Sequence, residues 1–176
     1  MYGYLGSDIK ALYRWLDKNL RRVWTNHPAR LAKLERNRFR RMGRSKDNKF
    51  RKLWFIKCEH CHNEVRTTEV EVNHKKTVLS IKEFGRYCEN LFLVKESDLE
   101  VLCKPCHSIV TYSERYGYTL EEAELEKKVV KYGKLTAKEQ KAKLVRAGIF
   151  KGQKNAKERK DAVRKYLYSK AGLKPK

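Results

Sequence analysis

Four cysteines in two CxxC pairs, Cys58/Cys61 and Cys103/Cys106, set the tightest limit on what this chain can fold into. A structural Zn²⁺ takes four thiolates in tetrahedral array, and a two-residue spacer lets one tight turn present two sulfurs to the same ion. A redox dithiol would require both pairs to share their spacing by accident, and a disulfide framework belongs to small secreted chains in oxidising compartments. The pairs therefore read as a zinc staple. Zinc binding of about 10 kcal/mol then becomes part of folding itself. Cys88, the fifth cysteine, is read as a small buried residue.

Charge supplies the next constraint. At 176 residues the chain is one modest domain with appendages, or two small ones. A formal net charge of +22 repels itself unless a polyanion relieves it. Residues 1–57 carry 17 Lys/Arg against 4 Asp/Glu, and residues 134–176 carry 15 against 3, which leaves the cysteine-bearing middle mildly acidic. Basic flanks suit a phosphate backbone. No stretch approaches the roughly 18 apolar residues of a spanning helix, and the N-terminus lacks a basic region followed by an apolar core. The expectation is a cytoplasmic protein, not secreted and without membrane contact, whose partner is nucleic acid and not a small-molecule substrate.

Patterning along the chain predicts the elements. Ser7 or Asp8 caps a helix whose positions Ile9, Leu12, Tyr13, Leu16, Leu20 and Val23 follow the spacing of one buried face. Pro28 opens a second helix. Arg36 to Lys52 is almost all cation without a second apolar face, and reads as a helix or arm that waits for phosphate. Leu53 to Lys57 leads into the first zinc turn. Val65 to His74 reads as a strand, with Val70, Val72 and His74 on one face and Glu71 and Asn73 on the other. Residues 80–94 hold a short helix or an elaborated loop. Pro105 and the apolar residues after it favour a helix that starts inside the second CxxC, with His107 in its first turn. Thr119 with Glu122 and Thr136 with Glu139 fit capping boxes. The first opens an acidic helix ending near Tyr132, and the second a short helix that FKGQ separates from a basic one. That last pair is similar in outline to helix–extended loop–helix DNA-binding modules of the SAP kind.

The strand motif EVEVNHKK (Glu69 to Lys76) and the helix motif LCKPCHSIVT (Leu102 to Thr111) together resemble the HNH endonuclease family in its zinc-stapled form. The resemblance covers about residues 54 to 115, and it implies an α+β fold: a small zinc-stapled ββα-metal core flanked by basic helical segments. The implied layout is a basic helical N-terminal DNA-binding or dimerisation arm over 1–53 and the nuclease core over 54–116. A connecting helix over 117–133 and a basic helical C-terminal DNA-binding module over 134–176 complete it. His74 would be the catalytic general base. Asn73 and His107 would hold one catalytic divalent ion, Mg²⁺, Mn²⁺ or Ni²⁺, while Cys58, Cys61, Cys103 and Cys106 hold one structural zinc. Asp98 falls where the family has a loop-bracing Asn, with Asn90 as a rival. Asn73 stands where the family often has Asp, and its neutral amide holds a hard dication less strongly. The implied activity is hydrolysis of phosphodiester bonds in duplex or branched DNA by a phage or mobile-element enzyme. Homing or nicking, packaging-associated and branch-resolving roles all fit. DNA contacts are assigned to Arg36, Arg38, Arg40, Arg41 and Arg44, and to Lys157, Arg159, Lys160, Arg164 and Lys165.

Each assignment has a plainer counterpart. His74 can be a strand histidine satisfied by a neighbour, and His107 can be a helix-cap residue or a substitute zinc ligand for Cys106. His60 and His62 are crowded into the first knuckle, His27 reads as a turn residue, and Glu71 reads as a solvated charge, with compensation for the missing Asp as its alternative. A homodimer through the Ile9 to Val23 stripe is one arrangement of the arms. The alternative class is a non-catalytic zinc-containing protein that binds nucleic acid.

Overall fold

The structure, a computed structural model, describes residues 8–76 and 78–175. Ser7, one of the two expected caps, lies outside them. Asp8 fills the role by accepting the Lys10 amide at 2.9 Å, and α1 (Ile9–Thr25) follows. The stripe expected to pack on this helix does so only towards its end. Leu20 lies against the core, Ile9, Leu12 and Val23 stay exposed, and the side chain that α1 buries is Trp24. An indole removes more apolar area from water than any aliphatic side chain, so Trp24 is the main apolar anchor of α1. α2 (Pro28–Asn37) begins on Pro28 at its first position, where the missing amide costs nothing.

The cationic stretch after α2 is a β-hairpin and not the helical arm expected of residues 1–53. β1 (Arg38–Arg44) pairs antiparallel with β2 (Phe50–Lys57), in a register that sets Arg40 against Trp54 and Arg44 against Phe50. The reason is local. Ser45 to Lys49 closes a tight loop through Ser45 N–H to Lys49 O at 2.9 Å, with Asn48 in the left-handed region that Asn tolerates better than most residues. Phe39 and Phe55 then face each other across the ribbon. Gly43 packs under Phe55, where a Cβ would come within 3.0 Å of that ring. β3 (Glu64–Arg66) adds a third strand on the β2 side.

A second, two-stranded sheet pairs β4 (Val70–His74) antiparallel with β5 (Leu99–Cys103). Between them α3 (Phe84–Phe92) fills the segment expected to be helix or loop, and it buries Tyr87 and Leu91. Val70, Val72, Leu99 and Val101 from the small sheet join Trp24, Ile56, Tyr87 and Leu91 in one apolar cluster. Cys88 packs at its edge. Tyr87 reaches out of the cluster to donate its hydroxyl to Asp17 at 2.6 Å, which ties α3 to α1. α4 (Lys104–Tyr116) starts inside the second CxxC pair, as its sequence predicts.

The described residues divide into two compact units, one ending at His107 and the other beginning at Ser108. The basic hairpin thus belongs to the same unit as the cysteines. The connecting and C-terminal segments are likewise one unit, built from the part of α4 after His107 together with α5 (Leu120–Gly133), α6 (Ala137–Arg146) and α7 (Ala156–Lys170). Thr119 and Thr136 cap α5 and α6 in the capping boxes read from sequence. Ala123, Val129, Leu144 and Tyr168 form the apolar interior of this unit.

Candidate functional site

The cysteine cluster is the best-defined site. Cys58 and Cys61 sit on a turn after β2, and Cys103 and Cys106 bracket the junction of β5 and α4. Their four sulfurs lie within 4.8 Å of one another, and Cys61 Sγ is 3.8 Å from Cys103 Sγ. Zn–S bonds of about 2.3 Å in a tetrahedron put sulfurs about 3.8 Å apart, so the donor set fits zinc. His62 takes the left-handed conformation that closes the first knuckle, with its amide donating to Cys58 O at 2.9 Å.

Electrostatics of the thiols point the same way. Burial raises the Cys58 thiol, yet the amides of Cys103, Cys61 and His60 outweigh it and bring the pKa down to about 7. Burial pushes up both Cys103 and Cys106; the amide and thiol of Cys106 oppose the shift at Cys103, whereas the neighbouring thiols add to it at Cys106. Four clustered thiols cannot all carry charge without a cation, and a bound dication would supply it.

The cysteine cluster is tied to the sheet by Glu59, a residue without a sequence motif of its own. Glu59, inside the first CxxC, donates its amide to Val101 O at 2.9 Å and accepts the Val101 amide on its carboxylate at 3.0 Å. Lys33 from α2 pairs with the same carboxylate at 2.9 Å. A lone Glu between two cysteines carries no sequence signal of such a role, because its partners are distant along the chain.

Asn73 and His74 end β4. Asn73 lies opposite Glu100 in the sheet register and donates its side-chain amide to the Glu100 carboxylate at 3.0 Å. Glu100 was not among the residues singled out. Glu71 stays partly exposed on the same face, two residues earlier. His74 is half-buried, with its ring tilted against Trp24 at 4.3 Å between centroids and its Nε2 3.3 Å from Leu91 O. Burial lowers its pKa, the Leu91 carbonyl opposes that shift, and Arg21 and His27 lower it further. His27 is more than a turn residue: its ring stacks on Trp24 at 5.0 Å and lies near Phe92.

His107 falls in the first turn of α4, directly after Cys106. Among the described residues, the cysteines are the group of three or more His, Cys, Asp or Glu side chains close enough to hold an ion, and His107 is outside it. Asp98 braces its own turn: its carboxylate accepts the Lys95 amide at 2.9 Å, and its backbone carbonyl accepts the amide of Lys75, the residue after His74. Asn90 lies in α3, next to the Leu91 whose carbonyl meets His74.

The basic residues divide. Arg36 pairs with Glu96 at 3.2 Å and Arg38 with Glu35, while Arg41 pairs with Glu64. Arg40 and Arg44 are exposed on the hairpin, and Lys157 and Lys165 are exposed on α7, with Lys160 half-buried. Two assignments are corrected. Arg159 is buried, donating to Gln140 Oε1 at 2.8 Å and to Lys154 O at 2.9 Å. Arg164 donates twice to the buried Glu126, at 2.7 and 3.1 Å, and once to Asp161. Both cations hold their own unit together and leave the basic surface.

No membrane-crossing helix is present among the described residues. Comparison with family models, with curated proteins and with solved structures found no match to this chain.

Proposed function

We propose that this protein is a metal-dependent DNA endonuclease of the HNH type, in which a zinc staple holds the strand and helix that carry the reacting groups. The observation that supports this best is the order of elements around the cysteine cluster. A strand ends on Asn73-His74, its antiparallel partner ends on Cys103, and a helix bearing His107 begins at the next residue.

His74 is the proposed base. Its Nε2–H donates to the Leu91 carbonyl, which fixes the tautomer and leaves the Nδ1 lone pair to take a proton from the attacking water. Asn73 and His107 are the proposed ligands of a divalent cation, and Glu100 stands beside Asn73 with the carboxylate charge that the amide lacks. Such a cation supplies positive charge against the phosphate oxygens. The donor set of amide oxygen and imidazole fits Mn²⁺ or Ni²⁺ better than Mg²⁺.

A second reading has its own observation. His74 is packed on Trp24 and hydrogen-bonded to Leu91, which also suits a structural histidine in a non-catalytic zinc protein that binds nucleic acid. Supercoiled plasmid separates the two. With Mg²⁺, Mn²⁺ or Ni²⁺ the natural protein is expected to nick, and His74→Gln to lose about two to four decades of rate while staying folded and zinc-loaded. Absence of nicking in every metal, on plasmid and on flap or four-way DNA alike, decides for the binding protein.

A further inference from the structure

The β1–β2 ribbon has two unlike faces. On one, Arg41 pairs with Glu64 and Arg51 with Asp47, so its arginines are neutralised by carboxylates. The register places Arg38, Arg40, Met42 and Arg44 on the other, opposite Ile56, Trp54, Lys52 and Phe50. There Arg38 alone meets a carboxylate, and among the described residues no ion pair engages Arg40, Arg44 or Lys52. Arg38 and Arg40 lie over the Trp54 ring at 4.1 and 4.6 Å, and Arg44 lies over Phe50 at 5.3 Å while bonding the neutral Asn48 amide. Stacking on rings holds guanidinium groups extended and limits the freedom they lose when they bind.

The same face exposes large apolar side chains. Phe50 is 64% and Met42 51% accessible, although nothing about solubility calls for them at the tip of a cationic ribbon. Phosphate contacts alone would need only the cations. A surface that alternates preorganised cations with exposed apolar groups matches the DNA major groove, which offers phosphates at its walls and guanine acceptors and thymine methyls on its floor. Two strands spaced about 4.8 Å apart, with their side chains, fit a groove about 12 Å wide. Stacking of unpaired bases fits less well, because Trp54 and Phe50 already carry the protein's own guanidinium groups over their rings.

We propose that this face of the ribbon, through Arg40, Met42, Arg44, Phe50 and Lys52, docks into the major groove of duplex DNA. The inference rests on the DNA-substrate part of the function proposed above and not on its chemistry. Binding of the zinc-loaded full chain to a short duplex, with no other divalent cation present, is read by fluorescence anisotropy across a salt series. Arg40→Gln with Arg44→Gln is expected to make the slope of log affinity against log salt shallower by about two units. Met42→Ser with Phe50→Ser weakens binding and leaves that slope unchanged. A variant-free arm uses a duplex whose cytosines carry glucosylated hydroxymethyl groups, which fill the major groove. That duplex is expected to bind at least about tenfold more weakly than its plain counterpart, the cost of one lost bidentate base contact or more, while netropsin in the minor groove displaces little protein. Equal binding to the glucosylated duplex, displacement by netropsin, or tighter binding to single-stranded DNA overturns the proposal. Nicking is scored separately. A nuclease that ignores groove filling defeats this inference alone, and groove-dependent binding without cleavage in any metal defeats the nuclease reading alone.

Discussion

The two units meet the same difficulty by opposite means. Each is too small for apolar burial alone to give a wide margin of stability. The first gathers four thiols and an apolar cluster around a small sheet. The second has no such sulfur cluster and instead buries charge and amide groups: among the described residues Glu122, Glu126, Gln140 and Arg159 are the buried polar ones, and all four lie beyond residue 107. Gln140 shows how closely they are satisfied, since it accepts from Arg159, donates to Leu135 O at 2.9 Å, and receives the Tyr132 hydroxyl on its backbone carbonyl. A metal staple fixes a few backbone points and leaves neighbouring polar residues available for chemistry. A hydrogen-bonded network uses up the residues that form it.

The contrast is broken most severely at the sulfurs. Cys58→Ser is expected to release zinc and cost up to about 10 kcal/mol, unfolding the first unit while the second keeps its helices. Zinc content measured with far-UV circular dichroism checks this, and a zinc-free variant that retains full helix and sheet signal counts against the staple. Glu126→Ala strands Arg164 without its buried partner and is expected to destabilise the second unit by about 3 kcal/mol, with zinc content unchanged. Thermal denaturation followed at the tyrosines of that unit reports it. The smallest effect sharpens the comparison: Thr136→Ala removes the cap of α6 and is expected to cost about 1 kcal/mol in the second unit only.

Local signals were legible and remote ones were not. The cysteine spacing, the capping boxes at Thr119 and Thr136, and the helix starting at the second CxxC pair are all set by residues within a turn of each other. The β1–β2 hairpin escaped because its charges hide its alternation. Its signal was the Ser45 to Asn48 turn, together with Phe39, Trp54 and Phe55, which suit a paired ribbon. Glu59, Glu100 and Trp24 were missed for a different reason. Their roles come from Val101, Asn73 and His74, each 27 or more positions away in sequence and adjacent only once the chain has folded. Arg159 and Arg164 were misjudged by the same mechanism, since charge alone cannot tell a solvated cation from one facing a buried carboxamide or carboxylate.

Hydrogen exchange resolved by peptide, with and without a zinc chelator, tests most directly whether the cysteines hold the unit that carries Asn73 and His74. Chelation is expected to abolish protection across β4, β5 and the first turn of α4, and to leave α5, α6 and α7 as protected as before. Undiminished protection in β4 and β5 after complete loss of zinc, or equal loss in both units, contradicts the account.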